Sequence, residues 1–383
     1  MRTCTVLLLS LLAAACATAP VTPPRTDLFN DALFHAPTEK IDRADIFALS
    51  PEMKVYLRTD MAVQIREKGL HPGFFESLYN QGQLRLDYDS VETRNAAQAF
   101  AVRSGNCLSL VIMSAAFAKA LGLPVWFQSV NVDETWSRSG DIQFFIGHVN
   151  LTLGKKQSEL GIAHTAIENM TIDFLPPQLL RGLPVKVISE DTIVAMYMNN
   201  RAAEAFARGR LDDAYWWARA AIGADPQFSS SYNTLGIVYR RHGNPDEALK
   251  VLAYANEREP ENTRVMANLV TVLNEGGHIA EAAALSRKLE KLEPNPPFSY
   301  FNLGLKAMKD ENYRLARDLF VKELDRAPRY HEFHYWLAAA YAGLGDVEQA
   351  RAQLAIALEY STTRKEHELY AAKLDRINAA RGN

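Results

Sequence analysis

SSSYNTLGIVYRRHGNPDEALKVLAYANEREPEN, residues 229–262, decides the fold of the second half of the chain, because its landmarks recur at a fixed step. Prolines stand at Pro226, Pro260, Pro294 and Pro328, and alanines at Ala214, Ala248, Ala282, Ala316 and Ala350, each series advancing by 34 residues. A period of that length marks stacked supersecondary units rather than one closed core. Within the stretch, Tyr232, Leu235-Gly236, Tyr239, Ala248, Leu252, Ala255 and Pro260 carry the pattern. Small residues at the Gly and Ala positions let two antiparallel helices approach, and the aromatic and Leu positions fill the space between stacked pairs.

These residues and their spacing resemble the tetratricopeptide repeat. The unit from Pro297 repeats Tyr300, Leu303-Gly304, Ala316, Phe320 and Pro328, and the unit from His331 has Leu337, Tyr341, Ala350, Leu354 and Ala357. The resemblance implies an all-α solenoid of five repeats over residues 195–362, closed by a polar-faced capping helix over 363–383. The first unit, about Ala195 to Gln227, diverges most, with Arg201-Ala202 in place of Leu-Gly. Its Tyr215, Trp216 and Trp217 predict packing against whatever precedes it. Such a solenoid takes a protein or peptide ligand on its concave face. Candidate concave residues are Asn199, Asn233, Arg240, Asn274, Phe301 and Tyr335, which share no single charge pattern and name no ligand.

The other end of the chain resembles a bacterial lipoprotein signal: Arg2, the apolar run Val6 to Leu12, then Ala13-Ala14-Ala15 before Cys16. The resemblance implies a signal peptide over 1–15, lipidation of Cys16, and a membrane anchor in the cell envelope. Ala17, where inner-membrane retention uses Asp, points to the outer membrane facing the periplasm. Residues 16–45 read as a tether, starting with the proline-rich Thr18 to Pro24. Hydrophobic residues are 48%, charged residues 23% and the net charge −3, which argues against nucleic acid as a partner. Beyond the leader no apolar run approaches the roughly 20 residues of a membrane span.

Between tether and repeats, residues 46–192 carry a different pattern. Pro51 to Lys68 predicts one amphipathic helix, His71 to Gln81 a second, and Glu92 or Thr93 caps a third through Val102. Asn106 opens a helix over Cys107 to Leu121 that is apolar almost all round and must be buried. Strands follow at Val125–Val132, Gln143–Leu153, Thr171–Phe174 and Val185–Ile188, with a loop around Asp133 to Asp141, giving an α+β domain. Cys107, the one thiol outside the leader and its cleavage site, has no intramolecular disulfide partner. It sits at a helix N-terminus, where the positive end of the dipole stabilises a thiolate.

Gly105-Asn106-Cys107-Leu108-Ser109, the apolar helix, Leu121-Gly122-Leu123, His148-Val149-Asn150 and Ile172-Asp173-Phe174 together resemble the transglutaminase-like branch of the papain-like thiol enzymes. The likeness covers roughly residues 90–180. It implies that Cys107 is the nucleophile, His148 the general base and acid, and Asp173 the residue orienting the imidazole, in a hydrolase, peptidase or acyltransferase. His164 competes for the histidine role, but follows a charged loop rather than lying within strand periodicity. The Cys107 N–H is one natural oxyanion donor, and Asn106 and Gln98 are candidates for a second. No cofactor or metal is implied: His331-Glu332-Phe333-His334 lacks zinc-protease spacing and reads as a repeat-helix surface. Two functions remain in view: an anchored thiol enzyme whose repeats recruit substrate, and a non-catalytic interaction scaffold or assembly lipoprotein.

Overall fold

The protein is seen in a computed structural model that describes residues 23–79, 87–88, 92–139, 142–154, 170–174, 183–361 and 363–381. The signal segment, Cys16 and His164 lie outside the described residues. Among the described residues no helix is long and apolar enough to cross a membrane.

Helix α1 (Pro51–Arg58) begins under the Ser50 hydroxyl, which accepts from the Met53 N–H. The single helix expected through Lys68 breaks at Thr59, and α2 (Asp60–Lys68) restarts beyond it. The Thr59 hydroxyl takes up the Val55 carbonyl and the Asp60 carboxylate, local bonds that compete with a continuous helix. Helix α3 (Leu70–Tyr79) folds back so closely that a Cβ on Gly73 would lie 2.4 Å from the Gln64 carbonyl oxygen. Helix α4 (Ala96–Val102) is capped by Asn95, with Gln98 completing the capping box, and not by Glu92 or Thr93.

Strand β1 (Asp87–Tyr88) pairs in parallel with β2 (Ser104–Gly105), which leads directly into α5 (Cys107–Ala120). Helix α5 is buried from Cys107 to Ala118, as its composition requires. It packs with Phe127, Val149, Leu151, Leu153 and Ile172 of an antiparallel sheet. That sheet runs in the order β5 (Met170–Ile172), β4 (Ile142–Leu153), β3 (Val125–Ser139) and β6 (Val185–Ile188). Strand β3 continues through the expected loop, with a register shift between Val130 and Thr135. Strand β5 ends at Ile172, one residue before Asp173, where the sequence predicted a strand through Phe174.

Ten helices then pair: α6 (Glu190–Ala207) with α7 (Leu211–Ala224), α8 (Ser229–His242) with α9 (Pro245–Arg258), and α10 (Thr263–Glu275) with α11 (Ile279–Leu292). After these come α12 (Ser299–Lys309) with α13 (Tyr313–Leu324), α14 (His331–Gly343) with α15 (Val347–Glu359), and a last helix α16 (Arg364–Arg381). A Cβ on Gly236 would stand 2.5 Å from Leu252, which is why the close-approach position is glycine. The stack is not continuous. Leu235, Leu269 and Leu337 are buried between successive pairs, yet Leu303, the equivalent residue of α12, is 54% exposed. The buried apolar core divides there, one cluster ending at Ala282 and the next starting at Phe298, and again at α14, where Ala338 joins Leu354, Ala357 and Tyr370 in a third.

From Arg25 onward the stretch read as tether is part of the folded body. Phe34 stacks on Tyr215 at 3.9 Å, and Tyr215 in turn donates to Asp31. Asp213, itself buried, accepts from the Thr38 backbone and hydroxyl, while the Asn30 N–H donates to the Tyr239 hydroxyl. Proline content suggested extension, but Leu28, Phe29, Leu33 and Phe34 supply the apolar surface that docks this strap on α7, α8 and α9.

Candidate functional site

Cys107 owes its position to four residues before it. Arg103 takes a left-handed conformation, φ 53°, which ends α4 and turns the chain into β2. Gly105 is required there because a Cβ would meet that of Ser109 at 2.7 Å. Asn106 caps α5, accepting from the Ser109 N–H at 2.9 Å and its hydroxyl at 2.8 Å. Cys107 is therefore the first residue of the helix, where backbone N–H groups lack intrahelical acceptors. The thiol is 4% exposed, and its sulfur donates to the Gly147 carbonyl at 3.9 Å.

Gly147 is the neighbour of His148 on β4. The pairing of Leu151 with Ile172 brings the next residue of the β5 chain, Asp173, alongside His148 and Asn150. His148 Nε2 lies 2.7 Å from Asp173 Oδ1 and 2.9 Å from Oδ2. The Asn150 amide donates to Oδ2 at 2.8 Å, and the Tyr79 hydroxyl donates to the Asp173 carbonyl at 2.6 Å. Because Nε2 is turned to the carboxylate, Nδ1 is the ring nitrogen left for Cys107. Burial works to lower the His148 pKa, but the Asp173 hydrogen bond and then the hydrogen bond and charge of Cys107 outweigh it, and the pKa is raised to about 9. The imidazole is thus held as the cation near neutral pH, between the Asp173 carboxylate and the Cys107 sulfur. Burial, with the Asp173 charge, raises the Tyr79 hydroxyl beyond its ordinary range, so it stays a neutral donor.

The structure brings together Cys107, His148 and Asp173. Of the two candidates for a second oxyanion donor, the Asn106 amide donates to Thr93 at 2.9 Å, and exposed Gln98 accepts through its Oε1 from the Asn95 N–H in the cap of α4. Asn150 and Tyr79 were missed by the sequence reading. Asn150 could have been found, since it lies two residues from His148 and shares its side of a strand. Tyr79 carries no such signal, coming from a helix far back in the chain.

Elsewhere several expectations are corrected. Phe301 is buried core, not concave surface. Two other concave candidates keep to the surface, Arg240 pairing there with Glu275 through both carboxylate oxygens and half-buried Asn233 accepting from Asn268 at 2.8 Å. His331 and His334 are buried rather than superficial, bonded to Tyr370 and to Gln353 and the Pro328 carbonyl respectively.

Residues 239–301 and 301–362 each match a family model described as tetratricopeptide repeat. These residues are tetratricopeptide repeats. The helix pairs of the structure extend that architecture back to Glu190, as an all-helical solenoid region. Among solved structures, a thermophilic tetratricopeptide protein from Thermus thermophilus is 20% identical over 47% of this chain and 98% of its own, with a TM-score of 0.30. PilF of Pseudomonas aeruginosa is 19% identical over 49% of this chain and 86% of its own, TM-score 0.30. YrrB, titled as a tetratricopeptide protein with an unusual peptide-binding site, is 21% identical over 47% and 92%, TM-score 0.26. No curated protein matches the chain.

Proposed function

We propose that this chain is a protein-interaction scaffold whose repeats hold a protein or peptide, and that it carries a thiol centre of transglutaminase-like type in front of them. The scaffold role rests on the tetratricopeptide repeats, which bury their apolar faces against one another and leave a curved surface for a ligand. The thiol reading rests on one observation: the His148 imidazole is bonded to Asp173, and the Cys107 sulfur reaches the carbonyl of the adjacent Gly147 from the N-terminus of a buried helix.

In this reading Cys107 attacks the carbonyl of an amide, His148 supplies the proton to the leaving amine, and Asp173 with Asn150 fixes the ring. Water or another nucleophile then releases the acyl group, giving hydrolysis or transfer. Cys16 would anchor the protein by lipid in the cell envelope, facing the periplasm. Favouring a non-catalytic scaffold instead is the burial of all three side chains, His148 at 5% and Asp173 at 9% exposure.

Alkylation of the folded protein tests the thiol centre. Cys107 is expected to react faster than a free thiol at about pH 6–7, with His148→Ala slowing it roughly tenfold or more. Reaction at the rate of a free thiol, with the fold intact, leaves the scaffold alone.

A further inference from the structure

The residue that the sequence offered as a cap for α4, Thr93, has a different task. It is 1% exposed, and its hydroxyl oxygen accepts from the Asn106 amide at 2.9 Å and from the Asn200 amide at 3.3 Å. Its backbone N–H donates to Glu204 Oε1 at 2.7 Å. The partners of Thr93 thus come from two distant places. Asn106 caps the thiol helix. Asn200 and Glu204 lie one turn apart on α6, the first helix of the repeat stack.

Glu204 does not stand alone. Its other oxygen pairs with Arg201 at 3.1 Å, Arg201 with Glu39 of the strap at 2.6 Å, and Glu39 with Arg210 of the α6–α7 turn at 2.6 Å. Burial pushes the Glu204 carboxyl up, against the Thr93 hydrogen bonds and the charges of Arg201 and Arg208. A largely buried carboxylate costs stability unless well partnered, so Glu204, 15% exposed, constrains geometry more than it strengthens the fold. On the Cys107 side the chain ends with the Ser109 hydroxyl, which accepts from the Arg94 N–H at 2.8 Å and donates to Asn106.

We propose that α6 is a positioning element for Cys107, with Glu204 and Asn200 acting through Thr93 and Asn106 to fix the first turn of the thiol helix, so that thiol reactivity answers to the repeats. This deepens the thiol-centre reading and rests on it. The repeats then do more than gather a substrate: a ligand that shifts α6 alters the N-terminal turn of α5 without touching it. Thr93 and Glu204 are positioning residues and make no contact with the reacting atoms.

The test compares Thr93→Val, which keeps the shape and removes the hydroxyl, with Thr93→Ser, which keeps the hydroxyl. Alkylation of Cys107 is measured at about pH 6 and about pH 10, and the ratio of the two rates is taken, since a change in exposure alone cancels from it. Thr93→Val and Glu204→Leu are expected to lower the ratio about tenfold, as a displaced reacting group does, with Thr93→Ser within about twofold of the parent. Amide exchange over Cys107–Leu110 is measured on the same samples, and should speed up in Thr93→Val but not in Thr93→Ser. Equal behaviour of the Val and Ser variants in both measurements overturns the proposal. A parent protein that alkylates no faster than a free thiol removes the thiol centre instead, and the exchange data then decide the positioning claim alone.

Discussion

Two junctions of the repeat stack differ although the 34-residue step runs through both without interruption. Where α8 meets the pair before it, the inward face of the helix is Ser231, Leu235 and Val238, all fully buried. Where α12 meets the pair before it, the same positions are Ser299, Leu303 and Lys306, and the last two are exposed. A lysine in the place of Val238, Val272 and Ala340 would have to bury its ammonium for the pairs to close, at the cost of its hydration. Periodicity thus fixes what each unit is. Side-chain chemistry at the interface fixes whether neighbours stack.

The largest expected contrast is a truncation of one residue type at both junctions. Leu235→Ala should cost about 2–5 kcal/mol by calorimetry or denaturant melting, because it opens a cavity in packed core. Equal losses for Leu235→Ala and Leu303→Ala would abolish the distinction between the junctions.

Next comes pH. The folded His148 pKa is raised to about 9 from an ordinary 6.5, so its stabilisation is complete below about pH 6.5 and is lost as pH rises through 9. The effect is on the order of 3 kcal/mol, at roughly 1.4 kcal/mol per pH unit. It should move only the unfolding transition of the part before the open junction, and vanish in His148→Gln. A transition of residues 298–381 that shifts in step would show the two parts to be one cooperative unit.

Smaller again is the effect of Lys306→Val, which should let the open pairs close. About 1–2 kcal/mol of stabilisation is expected from the buried side chain, with a smaller radius of gyration by X-ray scattering and a merging of the two transitions. Leu303→Ala belongs at the bottom of the scale, within about 0.5 kcal/mol of the parent, as for other exposed positions.

The same contrast explains what could be read from the sequence. The repeats were legible because their contacts are local: each helix meets the next within one period, so spacing carries the fold. The placement of Cys107 at a helix start was legible from Gly105-Asn106, a turn residue and a cap. Asp173 was read as lying within a strand, whereas it stands just past one, aimed at His148 by a pairing register that no single stretch encodes. The strap was misread for a related reason. Its prolines speak of extension, while the partners that fold it, Asp213, Tyr215 and Tyr239, come from the opposite half of the chain. Thr93 failed as a cap because a better one, Asn95, follows two residues later with Gln98 in place.

The docked strap has a consequence for how the protein is made. Residues 25–39 are made well before the residues that hold them: Phe34 and Thr38 meet their partners only after α7 and α8 have been synthesised, some 175 residues later for Thr38 and Asp213. Loop closure over such a distance is slow and leaves apolar surface uncovered in the meantime. Until then the nascent front half is a natural client for a holding chaperone, and a chain released before Tyr239 should be cleared by proteases.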